Sequence, residues 1–336
     1  MKNVLYIGNN LKQQTSNISA IGIVGPKLEQ EGYNLTYASS KANKIARLLD
    51  MLWTCFSQRK RTDVVLIDTY STQNFYYALL VSQLCRVLGL PYIPVLHGGN
   101  LPQRLKNSPK LSQAIFKNGY KLVSPSLWLK EAFEEEGYQN IHYIPNSLEL
   151  EHYIFQEKTL DEVKLLWVRS FSSIYNPELA VKVLKALQDQ GIAASLCMVG
   201  PDSDGSLETV KQLASSLKVS VTFTGKLPKE EWIALAKDYN IFINTTNFDN
   251  MPVSVIEAMA LGLPVVSTNV GGLPYLIDHK TDGLLVPPNN VEVFVEAIKQ
   301  LISHPEATQV MTLNARKKVE AFDWEVVKEK WFEVLS

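Results

Sequence analysis

Asp249 and Glu257 stand eight positions apart in the stretch NFDNMPVSVIEAMALGLPVVSTNVGGLPYLIDHKTDGLLVPP, residues 247–288. Two carboxylates so placed can serve the hydroxyl groups of a polar ligand. Between them the residues predict the start of a helix. Asn250 is suited to cap it, Pro252 to sit in its first turn, and Val253, Ile256, Ala260 and Leu261 recur at the spacing of a buried face. The free backbone N–H groups from Met251 to Ser254, together with the positive end of the helix dipole, favour an anion, most obviously a phosphate. Glu257, in the second turn, is placed to accept two hydrogen bonds from a diol such as a ribose. Asp249 precedes the helix and is aimed at whatever the phosphate carries. Leu263-Pro264 ends the helix, Val265 to Thr268 forms a short apolar strand, and Gly271-Gly272 lets backbone approach a ligand closely. The stretch reads as a site for a polar, phosphorylated ligand.

Glu257-Ala258-Met259-Ala260, Gly262, Pro264-Val265-Val266 and Gly271-Gly272 together resemble the donor-site signature of the family 4 retaining glycosyltransferases of the GT-B fold. The chain departs from that signature at Asp249, where the family carries a glutamate, one methylene longer. The resemblance implies that Asp249 orients a hydroxyl of the donor sugar and Glu257 the ribose, with Asn250, Met251, Pro252, Val253 and Ser254 lining the donor. Arg169, at the end of LLWVRS, matches the family's arginine that grips the donor diphosphate, and a guanidinium fork fits phosphate oxygens well. The lysine that the family adds five residues later is missing, because this chain has Ile174-Tyr175 there. Tyr175, Asn176 or another base must then substitute. His97, after an apolar strand and before Gly98-Gly99-Asn100, is similar to the family's histidine near the reacting sugar. Gly8-Asn9-Asn10 resembles the glycine-containing loop facing the donor, without its usual second glycine. Gly200 and Gly225-Lys226-Leu227 match loops around the nucleotide, and Ile144-Pro145-Asn146-Ser147 resembles the element that ends the N-terminal domain.

The activity implied is a retaining transfer of a sugar, a UDP-sugar being the favoured donor, to a glycan or lipid-linked acceptor in bacterial surface polysaccharide synthesis. Asp249, His97 and Arg169 carry the catalytic roles, and a phosphate oxygen helps to take the acceptor's proton. No cofactor is expected beyond the nucleotide sugar as co-substrate. No Asp-x-Asp pair falls in a plausible metal loop and no ligands cluster at metal spacing, so Arg169 and helix amides must neutralise the diphosphate. Metal independence is the expectation. Alternatives on the same fold are a nucleotide-sugar epimerase, a phosphorylase, and a catalytically weakened glycan- or nucleotide-binding module. A nicotinamide dehydrogenase is disfavoured, since no G-x-G-x-x-G follows any strand and the first loop reads GNN.

The elements that must position these residues follow from alternating strand and helix patterns. Strands are predicted near 4–7, 34–37, 64–68, 92–96, 122–125 and 142–145, and again near 165–169, 194–199, 221–224, 241–245, 264–268 and 283–286. Each set makes a Rossmann-like sheet, giving an α/β fold of the GT-B kind: two facing domains with a cleft between them. The N-terminal, acceptor-binding domain is expected over 1–155 and the nucleotide-sugar domain over 160–320. A linker is expected between Asn146 and Val163, and a terminal helix within 322–336 is expected to pack on the N-terminal domain.

A length of 336 residues and 46% hydrophobic content suit two cores. Cys55, Cys85 and Cys197 are odd in number and widely spaced in sequence, offering neither a disulfide framework nor a metal cluster. A reducing, cytoplasmic location is expected, since no charged leader or long apolar run is seen. The net charge of −1 conceals an asymmetry. Residues 1–150 carry 16 Lys and Arg against 10 Asp and Glu, leaving 17 against 24 for the remainder. The bases concentrate at 41–61 and at 104–121. In the first segment Ile45, Leu48, Leu49, Leu52, Trp53 and Phe56 fall at helical spacing. Such a basic amphipathic helix is suited to an anionic membrane surface at the inner face of the plasma membrane, or else packs on its own sheet with a solvated basic end. No nucleic-acid recognition motif is present, and no nucleic-acid partner is expected.

Overall fold

Twelve strands alternate with helices in the computed structural model, which describes residues 2–11 and 19–336. The chain forms two compact units, one of residues 1–145 with 328–336, the other of residues 146–327.

In the first unit the order is β1 (Asn3–Ile7), α1 (Ala20–Gln30), β2 (Asn34–Ala38), α2 (Lys44–Gln58), β3 (Val64–Thr69), α3 (Asn74–Leu88), β4 (Tyr92–Leu96), α4 (Leu101–Asn107), α5 (Pro109–Phe116), β5 (Leu122–Ser124), α6 (Leu127–Glu135) and β6 (Ile141–Tyr143). The six strands lie in the order β2-β1-β3-β4-β5-β6, and every pairing is parallel, with Val4 opposite both Leu35 and Val64 and Asp68 opposite Val95. Central strands of such a sheet are covered on both faces, and β3, VVLIDT, is accordingly buried throughout. Strand order reverses between β1 and β3, and ligands of doubly wound sheets bind at the carboxyl ends of the strands flanking that point. Gly8 follows β1, and Asp68 is the penultimate residue of β3. Cys55 on α2 and Cys85 on α3, thirty positions apart in sequence, lie 3.7 Å sulfur to sulfur as buried free thiols.

In the second unit the order is β7 (Val163–Val168), α7 (Pro177–Asp189), β8 (Ala194–Val199), α8 (Ser206–Ser216), β9 (Val221–Gly225), α9 (Lys229–Leu235), β10 (Ile241–Asn244), α10 (Val253–Ala260), β11 (Val265–Thr268), α11 (Leu273–Leu276), β12 (Leu284–Val286), α12 (Val291–Ser303) and α13 (Pro305–Val319). Its sheet is parallel, in the order β12-β11-β10-β7-β8-β9. Alternation along β7 sends Leu165 and Trp167 into one core, with Leu184 and Phe294, and Leu166 into the other, with Phe242, Val255 and Met259. Here the order reverses between β7 and β10. The loops leaving those two strands carry Arg169 and Asp249, which is why residues eighty positions apart share one site.

The last helix, α14 (Trp324–Leu335), contains the boundary between the units. Its later part is held in the first unit: Lys2 Nζ donates to the Leu335 carbonyl at 2.6 Å, Lys121 Nζ to the Glu333 carbonyl at 2.8 Å, and Phe332 stacks on Tyr33 with centroids 6.0 Å apart. The stretch 146–162, whose charges suggest a linker, packs within the second unit instead. Leu148, Leu150 and Tyr153 are its buried anchors, and the Gln156 N–H donates to the Leu261 carbonyl at 3.2 Å. The unit boundary therefore falls at Pro145, ahead of 155. Among the described residues, no helix is long and apolar enough to cross a membrane.

Candidate functional site

Arg169 leaves β7 and forms an ion pair with Asp249, and the two side chains are only 12% and 16% exposed. The guanidinium carbon lies 4.1 Å from the centre of the Tyr175 ring, so the aromatic residue flanks the arginine where the lysine is missing. Asn176, the other candidate substitute, ties loops together through Asn289 Oδ1 at 2.7 Å and Asn247 Oδ1 at 3.3 Å. Burial pushes the Arg169 guanidinium below its ordinary range, with Tyr175 opposing the shift. Its Nε is buried without a partner among the described residues.

The loop bearing Asp249 is fixed at many points. Trp167 Nε1 donates to Thr245 Oγ1 at 3.0 Å, Thr245 Oγ1 to the Tyr175 carbonyl at 3.0 Å, and Thr268 Oγ1 to the Thr246 carbonyl at 2.6 Å. Gly272 N–H donates to the Asp249 carbonyl at 2.9 Å. A Cβ on Gly272 would come within 1.7 Å of the Asn250 carbonyl oxygen, and one on Gly271 within 2.1 Å of the Asp249 carbonyl oxygen. The glycine pair thus admits the backbone of the 249–250 loop. Gly200 makes room of the same kind: a Cβ there would meet the Arg169 carbonyl oxygen at 1.7 Å, so its missing side chain lets the end of β7 pass close by.

Helix α10 begins two residues later than its sequence suggests. Pro252, not Asn250, occupies the cap position, with φ −70° and ψ 115°, and no side chain caps the helix. Asn250 is buried, and its N–H is bound to Asp249 Oδ1 at 2.7 Å within the preceding turn. Met251 is buried too, with its carbonyl accepting from Asn146 Nδ2 at 3.2 Å, and Val253 packs half-buried against the second unit's core. The consequence is an uncapped helix start at which Val253 and Ser254 lack intrahelical acceptors for their N–H groups. Ser254 Oγ is buried beside them without a partner among the described residues.

Glu257, one turn further on, is 5% exposed. Tyr153 donates its hydroxyl to Glu257 Oε1 at 2.6 Å, and Lys229 Nζ lies 3.2 Å from the same oxygen. Burial raises the Glu257 carboxyl above its ordinary range, against the pull of Lys229 and Tyr153. Both contacts fall on Oε1, which leaves Oε2 available to a ligand hydroxyl. Tyr153 and Lys229 were not among the residues expected. Lys226 was, but it is exposed, whereas Lys229, at the start of α9, is the lysine that reaches the carboxylate. Leu227 is half-buried against the core.

The first unit builds a separate cluster. Asp68 accepts from the Tyr6 hydroxyl at 3.1 Å and lies 2.8 Å from His97 Nε2, both through Oδ1. Tyr70 stacks on the imidazole with ring centres 4.8 Å apart, and the His97 N–H donates to the Thr69 carbonyl at 2.8 Å. Gly8 is glycine because a Cβ would lie 2.5 Å from Asp68 Oδ2, and its N–H is already given to the Ala38 carbonyl at 2.7 Å. Asn9 is likewise engaged, with Oδ1 accepting from Arg47 at 3.2 Å. The unexpected member is Asp68. Its signal was a carboxylate after four apolar residues of the strand VVLIDT, where an unpaired charge would be costly.

A carboxylate at Nε2 favours the tautomer that carries a proton on that nitrogen and turns Nδ1 away from Asp68. Asp68→Asn is expected to mix the two tautomers, visible in the nitrogen shifts of His97, and to slow any reaction that uses the imidazole about tenfold or more. An unchanged tautomer in that variant would remove Asp68 from the account.

Comparison with known proteins bears on the family and the fold. The family described as "Glycosyl transferases group 1" matches residues 151–318. The amylovoran biosynthesis glycosyltransferase AmsK of Erwinia amylovora is 31% identical over 168 residues, covering 47% of this chain and 40% of that protein. The chain spans well under half the length of the curated relatives it matches, 30% to 40% for three of them. Among solved structures, sucrose-phosphate synthase from Thermosynechococcus elongatus superposes with a TM-score of 0.84 at 17% identity, covering 99% of this chain and 98% of that one. Anabaena HepE in complex with UDP-glucose gives 0.81 at 15% identity, covering 100% and 99%. At such identities the likeness shows the fold, which is the GT-B class expected from the sequence. The family match spans half of the 336 residues and contains Arg169, Asp249, Ser254 and Glu257, and this chain belongs to the glycosyl transferases group 1 family.

Proposed function

We propose that this chain is a retaining, metal-independent glycosyltransferase that takes its sugar from a nucleotide sugar, a UDP-sugar by preference, and passes it to a glycan or lipid-linked acceptor. One observation carries the reading: Arg169 Nε and Ser254 Oγ are buried polar atoms without partners among the described residues, beside an uncapped helix start and two carboxylates. Buried polar groups are nearly always satisfied, so a polar anionic ligand belongs there. A donor diphosphate would take the guanidinium and the α10 amides, its ribose would take Glu257 Oε2, and its sugar would meet Asp249.

In the reaction the acceptor oxygen bonds to the anomeric carbon on the face from which the diphosphate departs. The bond from that carbon to the phosphate oxygen breaks, and the acceptor proton passes to the leaving phosphate. Arg169 and the helix amides hold the charge that develops on the leaving group, which is why no metal is required. The Asp68–His97 pair is assigned to hydroxyls of the reacting sugars. Support for a uridine donor comes from HepE, solved with UDP-glucose, and support for polysaccharide synthesis from the name of AmsK.

A thermal-shift screen of nucleotide sugars tests the reading. Ligand at 100 times its dissociation constant stabilises by about 2.7 kcal/mol, so a UDP-sugar is expected to raise the melting temperature clearly, with or without a chelator. No shift with any nucleotide sugar or nucleoside diphosphate would remove the donor site.

A further inference from the structure

Helix α2 has two apolar faces, and the fold uses only one. Met51 and Cys55 are buried and Leu48 and Leu52 pack beside them in the core of the first unit. On the other side Ile45, Leu49, Trp53 and Phe56 are 72%, 60%, 66% and 43% exposed. Steps of four, four and three residues keep these side chains on one line along the helix. Single exposed apolar residues are ordinary, but a contiguous row of four large ones marks a surface that something covers. The six apolar side chains that fall at helical spacing are thus split between the two faces.

The charges around the row say what covers it. Lys41 and Lys44 lie at one end, Arg59, Lys60 and Arg61 at the other, and Asp50 is the one acid from 41 to 61. Arg47 is turned inward, giving its hydrogen bonds to the Lys41 and Ala42 carbonyls and to Asn9 Oδ1. Arg59 lies over the Phe56 ring at 4.1 Å, and Trp53 and Phe56 have ring centres 6.2 Å apart. An aromatic pair with a guanidinium above it suits the boundary between lipid chains and headgroups. A second copy of this chain would bring the same positive charges face to face. The second basic segment adds less than its composition suggests: Arg104 is bound to the Ser71 carbonyl at 2.8 Å and Lys121 to the Glu333 carbonyl at 2.8 Å.

We propose that the row Ile45, Leu49, Trp53 and Phe56, with the bases at both ends of α2, docks the first unit on an anionic lipid bilayer. The helix lies in the interface with its outer stripe among the acyl chains and its bases against the headgroups. None of the four exposed side chains is among the residues assigned to the donor, so the proposal stands or falls independently of the transferase reading.

The test is co-sedimentation of the full chain with vesicles of phosphatidylcholine alone and of phosphatidylcholine with about a third phosphatidylglycerol. Wild type is expected to bind the anionic vesicles at low salt and to be released as salt is raised. Leu49→Ser with Trp53→Ser is expected to lower partitioning about a hundredfold, roughly tenfold for each apolar side chain, with an unchanged melting temperature because both residues are exposed. Lys60→Glu with Arg61→Glu is expected to weaken binding to anionic vesicles only. Wild type remaining in the supernatant, or the serine variant binding as well as wild type, would overturn the proposal. So would a dimer in solution that the serine variant dissociates, since a second copy would then cover the row.

Discussion

Asp249→Asn is expected to slow sugar transfer about a hundredfold or more while raising the affinity for a nucleoside diphosphate severalfold. The two effects have opposite signs because Asp249 pairs with Arg169 in the structure, and both side chains are largely withdrawn from water. The carboxylate therefore competes with phosphate for the guanidinium. Asparagine keeps the shape, and its carbonyl still accepts from the Asn250 N–H, but it no longer neutralises the arginine. The diphosphate then meets a freer cation, whereas the donor sugar loses the charged acceptor that orients it. Arg169→Met reverses the pattern in binding. It removes the phosphate partner and strands a largely buried Asp249, at a cost of about 3–5 kcal/mol in stability. Calorimetric titration of UDP into both variants, with initial transfer rates, separates the cases. Equal loss of diphosphate affinity in both would mean that Asp249 merely holds Arg169 in place.

Glu257→Gln is expected to stabilise the fold as it weakens donor binding. Burial raises the Glu257 carboxyl, so the folded chain holds that proton more tightly than the unfolded chain does. The group's contribution to stability is full below the ordinary carboxylate range and is lost as pH rises from there through the raised value. Glutamine has no such loss. The two proteins should melt alike at the acid end of this window and diverge above it, with the variant higher at neutral pH. The amide still accepts from Tyr153, but a charged acceptor for the ribose is gone, and the affinity for UDP should fall about tenfold or more. Melting curves across pH with parallel UDP titrations check both halves. A wild type more stable than the variant at neutral pH would show that the Lys229 contact outweighs burial.

Much of this organisation could be read before the structure. Most of the strands announce themselves as short apolar runs, and runs such as VVLIDT and LLWV belong to strands covered on both faces, whereas β2, NLTYA, and β9, VTFTG, are the more polar outer strands of their sheets. The Glu257-Ala258-Met259-Ala260 run with its downstream glycines pointed to the family that the comparison then matched. What could not be read were contacts between residues distant in sequence. Nothing local to Arg169 announces Asp249, and nothing near Glu257 announces Tyr153, 104 positions before it. Glycine is ambiguous in a particular way. Its missing Cβ signals that something comes close, but Gly8, Gly200 and Gly272 admit the protein's own Asp68, Arg169 and Asn250. The start of α10 was misplaced because Pro252 suits both the cap and the first turn, and only its ψ of 115° decides between them. On α2 helical spacing correctly identified an amphipathic helix, yet spacing cannot distinguish a side chain buried on one flank of the stripe from one exposed on the other.

The central claim is that the second unit's Arg169, Ser254 and Glu257 together receive a nucleotide sugar. The most direct measurement is a crystal structure of the full chain with a non-transferable UDP-sugar analogue. Phosphate oxygens are expected within hydrogen-bond reach of Arg169 and of the Val253 and Ser254 N–H groups, with a ribose hydroxyl on Glu257 Oε2. A nucleotide bound elsewhere, with Ser254 Oγ still unpartnered and Arg169 still closed on Asp249, would contradict the claim.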